Sequence, residues 1–356
     1  MSDIHSFKLL DAANASGFVK TTDGKLRVLS NDYLSAIAEG DLTGHEAFHR
    51  SGYNPLVVNA VEDVWPYGGV YVPPPAGGVQ GELYCADNTN DKGVVIKSGT
   101  SDSCSATEMV DAAVDFTTAT AVAAGDMLLL DGDGEHAIVT IVAANKLTFV
   151  MSRPGLTPTA AQSYRVVDAS TTTGVKVLSL HYLDASYVEG KEFLVTNGNT
   201  VVLTATSGML RVQRLHAVFC GTLGVSAGVI DLRNTADTPV YARILAGRSG
   251  AQSAMYTVPA GHVGFLGAWH PGNVSAAANH YAEHRLLATT DDGWHFLDGV
   301  WIVKDIATYV DTTGAIHYAM PLRLPAKTDV KVSVIADAAN ANCVVSSYFA
   351  GWIETA

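Results

Sequence analysis

Apolar and polar positions alternate with a period of two along most of this chain, and that period predicts strands. Leu178, Leu180 and Tyr182 alternate with Ser179 and His181, the pattern of a half-buried strand. Leu210 and Val212 hold one phase, whereas Leu215, Ala217 and Phe219 hold the other, which places a β-bulge near Arg214. Phe193-Leu194-Val195 and Val201-Val202-Leu203 flank Asn197-Gly198, two residues that tolerate positive φ, so a hairpin is predicted there. Val330, Val332 and Val334 alternate with Lys331 and Ser333. They open a final pair of strands that runs on through Val344-Val345 and Tyr348-Phe349 to Trp352.

Between these runs the pattern divides the chain. Residues 1–60 are polar and dotted with glycine, and read as an extended N-terminal arm. Its one helix is short, capped by Asn31, running through Asp32 to Glu39 and stopped by Gly40. From Trp65 an aromatic, Gly-rich lead-in to a strand ends at Pro73-Pro74-Pro75, which cannot donate ladder hydrogen bonds and belongs at a sheet edge or on the surface. Met127-Leu128-Leu129-Leu130 and the run Ala137 to Val142 are joined by Asp131-Gly132-Asp133-Gly134, and Leu147 to Val150 follows. Short strands with Gly/Asp turns indicate a barrel or sandwich rather than alternating strands and helices. The expected fold class is therefore all-β. A jelly-roll-like β-sandwich spans 61–88 and 166–356, and a small β-barrel or sandwich domain is inserted at 89–165.

Composition narrows the function classes. Of 356 residues, 48% are hydrophobic and only 16% charged, against about 25% in an ordinary soluble domain. Such a weakly charged surface suits burial against partner subunits. Twenty-two basic against 35 acidic residues give a net charge of −13. With no run of Lys and Arg to displace counterions from phosphates, direct nucleic-acid binding is not expected. No basic segment followed by an apolar stretch opens the chain, and no apolar run reaches the roughly 18 residues of a membrane span, so neither secretion nor membrane insertion is expected. Cys85, Cys104, Cys220 and Cys343 are scattered, without a CxxC pair, and read as free, mostly buried thiols of a chain assembled in a cytoplasm.

Four short patterns carry candidate chemistry. His45-Glu46-Ala47-Phe48-His49 matches HExxH, in which one helical turn sets two imidazoles on zinc. It lies between Gly44 and Gly52, however, and Pro55 stands where a third ligand belongs, so a loop is expected. His280-Tyr281-Ala282-Glu283-His284 matches HxxEH but reads as a polar connection between strands. Gly224-Val225-Ser226-Ala227-Gly228 matches GxSxG, yet the β-type run Val229 to Leu232 follows it where a nucleophile elbow needs a helix. Asp131, Asp133 and Glu135 begin like a calcium loop, but His136 replaces its glycine and Val142 its last glutamate. No catalytic, cofactor-binding or metal-binding residue is assigned, and the chain is expected not to be an enzyme.

The segments Ile37 to Gly40, Gly52-Tyr53-Asn54-Pro55 and Val64 to Tyr71 resemble a family of virion structural proteins from tailed bacteriophages. Gly134-Glu135-His136, Tyr256 to Gly261 and Leu324 to Val332 extend the likeness, whereas residues 1–36 show none. The resemblance implies a capsid decoration or cement protein of the virion, with no catalytic residues. Its partners would be the major capsid protein, or other virion proteins, and itself as a homo-oligomer, a trimer by the local symmetry of shells. The alternatives are a tail, collar or fibre component of the same particle, a carbohydrate-binding β-sandwich suggested by Trp269, Trp294 and Trp301, and, remotely, a zinc hydrolase through the HExxH.

Overall fold

Short alternations broken by Gly, Asp and Pro leave no long apolar stripe of helical period, and every regular element among the described residues is a strand. The computed structural model describes residues 19–22, 25–28, 44–274, 281–291, 293–310, 312–337 and 343–356. The helix expected at 31–39 lies outside them.

Strands β1 (Val19–Thr22) and β2 (Lys25–Val28) form an antiparallel pair of their own. Next come β3 (His45–Val57), β4 (Glu62–Asp63) and β5 (Gly81–Cys85). The following seven are β6 (Val95–Thr100), β7 (Ser103–Cys104), β8 (Glu108–Val110), β9 (Met127–Leu130), β10 (Glu135–Ala143), β11 (Lys146–Met151) and β12 (Ser163–Val167). After them run β13 (Val175–Asp184), β14 (Glu189–Val195), β15 (Val202–Leu203), β16 (Met209–Cys220), β17 (Ile230–Asn234) and β18 (Val240–Ile244). The last are β19 (Met255–Thr257), β20 (His262–Val274), β21 (Ala282–Ala288), β22 (Ile302–Tyr309), β23 (Ile316–Leu324), β24 (Asp329–Ala336) and β25 (Cys343–Thr355).

β6 to β12 make one antiparallel sheet, ordered β6-β12-β9-β10-β11-β8-β7, curled into a half-barrel. Alternation explains its core: Leu128, Leu130, Ala137, Val139, Leu147 and Phe149 point inward onto Phe116 and Tyr164. The half-barrel leaves and rejoins the chain at one point, because Asp168 N donates to Val94 O at 3.0 Å.

The body outside the half-barrel resolves into two sandwiches. In the central one, β14-β13-β16 faces β15-β5-β17-β18 across Leu83, Leu178, Leu180, Leu215, Ile230 and Tyr241. In the terminal one, β23-β20-β25-β3 faces β19-β24-β21-β22, and β4 pairs with β24. Trp269, Phe349, Val332, Val334 and Leu286 fill that second core.

Several local expectations change in the fold. His45–Val57 is a core strand paired along β25 rather than part of an arm, because Phe48 and Val57 are buried beneath it. Asn197-Gly198 turns the chain, with Gly198 at φ +60, but makes no hairpin. β14 pairs with β13, whereas β15 crosses to β5 in the facing sheet. Buried Asp91 redirects the chain there: Gly198 N donates to its carbonyl at 3.0 Å. β24 and β25 likewise sit in opposite sheets and do not pair. Trp65 to Val72 forms no strand. Gly68 and Gly69, both at positive φ, fold the chain back so that Trp65 Nε1 reaches Gly69 O at 3.0 Å. The predicted bulge is found: His181 pairs with Arg214 and Tyr182 with Val212, leaving Gln213 extra.

Candidate functional site

Strand geometry takes the HExxH apart. At about 3.3 Å per residue, His45 and His49 stand roughly 13 Å apart along β3, far beyond a shared metal ion. The expected loop is instead a strand in which Phe48 is buried and stacks on Tyr256 at 4.1 Å between ring centroids. His45 Nε2 lies 3.3 Å from Glu354.

From Ala282 to His284 the HxxEH is also strand and not a polar connection. Ala282, His284, Leu286 and Ala288 point into the terminal core, while Glu283 turns outward and pairs with Arg285 at 2.6 Å. His284 is fully buried, neither ring nitrogen has a partner, and burial lowers its pKa to about 4. His280 lies outside the described residues.

The GxSxG is a turn between β16 and β17. Ser226 Oγ donates to Leu245 O at 2.9 Å, and the amides of Ala227 and Gly228 donate to the Asp91 carboxylate at 3.0 and 2.7 Å. Those amides are therefore committed and cannot form an oxyanion hole. Asp131 holds Arg165 in a bidentate pair at 2.8 and 2.7 Å, and Asp133 accepts from Thr159 N and Oγ1, each at 2.7 Å. Their oxygens serve the turn.

Cys85, Cys104 and Cys220 are free thiols; Cys85 and Cys343 are buried, and Cys104 and Cys220 half-buried. Trp269 is buried, its Nε1 donating to Ser347 Oγ at 3.0 Å, so of the three tryptophans only Trp294 and Trp301 offer surface.

A cavity of about 570 Å³ opens between the two sandwiches. Its walls are the free edge of β3 at His49 to Ser51, the edge strand β16, and the connection Gly247 to Met255. That connection ties both sandwiches like an added strand. Ala217 N donates to Ser249 O at 2.7 Å and Ala251 N to Leu215 O at 2.9 Å; Tyr53 N then donates to Gln252 O at 2.9 Å and Ala254 N to Val64 O at 3.0 Å. Gly52 permits the passage, since a Cβ there would lie 2.6 Å from Ala254. Below the cavity, Arg211 grips Asp329 through two bonds of 2.9 Å, and Gln213 Nε2 donates to Thr257 O at 2.5 Å.

Positive charge gathers here in a chain that is strongly acidic overall. Lys191, His181 and Arg214 are direct cross-strand neighbours on β14, β13 and β16. His216 lies beside them, its ring 5.6 Å from that of His181. Burial first, and then the neighbouring cations, lower His181 to about 4 and His216 to about 3. Arg50 lies over the Tyr256 ring at 4.8 Å and donates to His49 O at 2.7 Å. Among the described residues, Arg50, Lys191, Arg214 and Arg248 make no ion pair. Glu46 and Glu189 are close enough to act on Arg50 electrostatically without bonding it. Buried and unsatisfied around the cavity are Arg50 Nε, His216 Nδ1, Gln252 Oε1 and Ser253 Oγ.

Sequence reasoning placed His181 on the polar face of its strand but missed this cluster, because only register brings Lys191, His181 and Arg214 together. No helix among the described residues is long and apolar enough to cross a membrane. Set against known proteins, the chain matches no family model and no curated protein.

Proposed function

We propose that this chain is a structural protein of a tailed-bacteriophage virion, acting as a decoration or cement protein that binds the shell and bridges its subunits. Besides the resemblance at 37–40, 52–55 and 64–71, one observation carries the reading. Three β-units are locked into a single body by buried joints, while large apolar side chains remain exposed on outer strands. Ile141 and Val150 of the half-barrel are 63% and 62% exposed, and Met320 and Ile306 of the terminal sandwich are 84% and 54% exposed. Apolar surface left on an otherwise closed body is suited to contact with another protein. On a capsid the occupant is the major shell protein, and linked contacts along a rigid body multiply weak ones into a clamp.

A second reading, a tail or fibre component of the same particle, draws its support from the cationic cavity, which suits a ligand better than a shell. Microscopy of whole particles carrying a tagged copy tests both. Regular density over the head supports the decoration protein, density on the tail transfers the chain to the second reading, and absence from particles overturns both. Mass measurement in solution tests the expected homotrimer.

A further inference from the structure

We propose that the cavity between the two sandwiches is a binding site for a carboxylate-bearing, hydroxyl-rich small molecule, the chemistry of an acidic sugar residue. This proposal does not rest on the virion reading.

Three observations lead to it. The first is charge: the guanidiniums of Arg50, Arg214 and Arg248 line the cavity, and none of the three is ion-paired among the described residues. A fold of net charge −13 has ample carboxylates to neutralise these three guanidiniums, yet leaves them without an ion pair at one cavity. An anionic ligand pairs with them. The second is size, since about 570 Å³ falls within the range of roughly 300–1,000 Å³ usual for small-molecule sites.

The third decides the ligand's chemistry. The unsatisfied buried atoms are of both kinds. Arg50 Nε is a donor and needs an acceptor, which a carboxylate supplies. Gln252 Oε1 is an acceptor and needs a donor, which a carboxylate or a bare inorganic anion lacks and a hydroxyl supplies. Ser253 Oγ and His216 Nδ1 accept either partner. A ligand that satisfies the set carries negative charge at one end and donating hydroxyls at the other. The exposed Arg214 and Arg248 stand at the rim, where they attract the anion before it docks, while Gln213, Leu215 and Tyr241 close the floor.

The test is a titration of the full chain with glucuronate, galacturonate and N-acetylneuraminate, followed by calorimetry and ligand-observed NMR. Glucose, acetate and inorganic phosphate are the comparison ligands. At least one acidic sugar should saturate, and glucose, acetate and phosphate should each bind about tenfold more weakly or not at all. Arg214→Gln and Gln252→Ala should each weaken the sugar about tenfold, and Arg153→Gln, on the exposed rim of the half-barrel, should leave it unchanged. Arg214 is exposed and unpaired, so its variant folds even if Arg50→Gln does not. Failure of all three acidic sugars to saturate overturns the proposal. So does phosphate binding as tightly as the sugar, or sugar binding that neither variant alters.

Discussion

Met127, Leu129 and Val167 of the half-barrel meet Val177, Phe193 and Val195 of the central sandwich, whereas Arg211, Gln213 and the connection 247–255 join that sandwich to the terminal one. The first joint is mainly apolar, although Arg165 Nη2 also donates to Phe193 O at 2.9 Å, and its apolar part closes wherever side chains fit, because burial is non-directional. The second is polar, and each group must find a partner at the right distance and angle. Where it succeeds, as at Asp329, the joint is tight. Where it does not, at Arg50, His216, Gln252 and Ser253, a cavity stays open. Two joints in one molecule thus differ in kind: the first is closed largely by apolar packing, and the second leaves unmet hydrogen bonds beside a cavity.

The largest effect that can separate the joints is expected from Asp329→Ala. It strands Arg211, which is only 13% exposed, and also removes the acceptor of Thr257 Oγ1, so it should cost about 4 kcal/mol in urea unfolding. The Arg211→Ala/Asp329→Ala pair should cost less than the sum of its members, since the second change relieves the uncompensated charge. Additive losses would mean that the pair is not what couples the sandwiches.

Leu129→Ala probes the apolar joint and should cost about 3 kcal/mol, the range for a buried leucine whose cavity cannot collapse. Its effect should be independent of pH. The polar joint should behave otherwise. His181 and His216 are held well below 6.5, to about 4 and about 3, so the unfolded chain takes up protons that the folded one refuses. Stability should fall as pH drops through that window and level off below it, by about 2 kcal/mol or more. The double change His181→Gln/His216→Gln should flatten the slope, with a remainder from His284, which lies deep in the terminal core. A slope unaltered in that variant would assign the acid response elsewhere. The smallest effect is expected from His45→Ala, which removes one exposed-edge contact to Glu354 and should shift stability by no more than about 0.5 kcal/mol.

Local period was enough to read much of the fold from the sequence. The strand at 178–182, the hairpin over 127–142 and the bulge near Arg214 all depend on neighbours within a dozen residues. What the sequence hid depends on distant partners. Arg211 and Asp329 are 118 positions apart, and nothing local in either stretch announces the other. Asn197-Gly198 carries a true turn signal, yet Asp91, more than a hundred residues upstream, decides that the turn ends a pairing rather than starting one. His284 misled because an ionisable side chain occupies an apolar position, so the period of two across Ala282, Leu286 and Ala288 reads as a polar connection rather than a core strand. The grouping of Lys191, His181 and Arg214 was illegible for the same reason as the salt bridge: alternation assigns a face, but only register assigns a neighbour.

The zipper between β3 and β25 also gives the terminal sandwich a mechanical direction. His45 lies opposite Glu354 and Val57 opposite Cys343, with Thr355 N bonded to Gly44 O at 3.1 Å, so residues 44 and 356 emerge side by side at one end of the ladder. Tension applied between those two points loads the rungs one after another and peels the strands at low force. Tension between residues 44 and 343 loads the whole ladder at once in shear and meets far greater resistance. The same strand pair is therefore soft to one direction of pull and stiff to the other, and a partner's grip on this molecule is strongest where it drags along β3 rather than away from it.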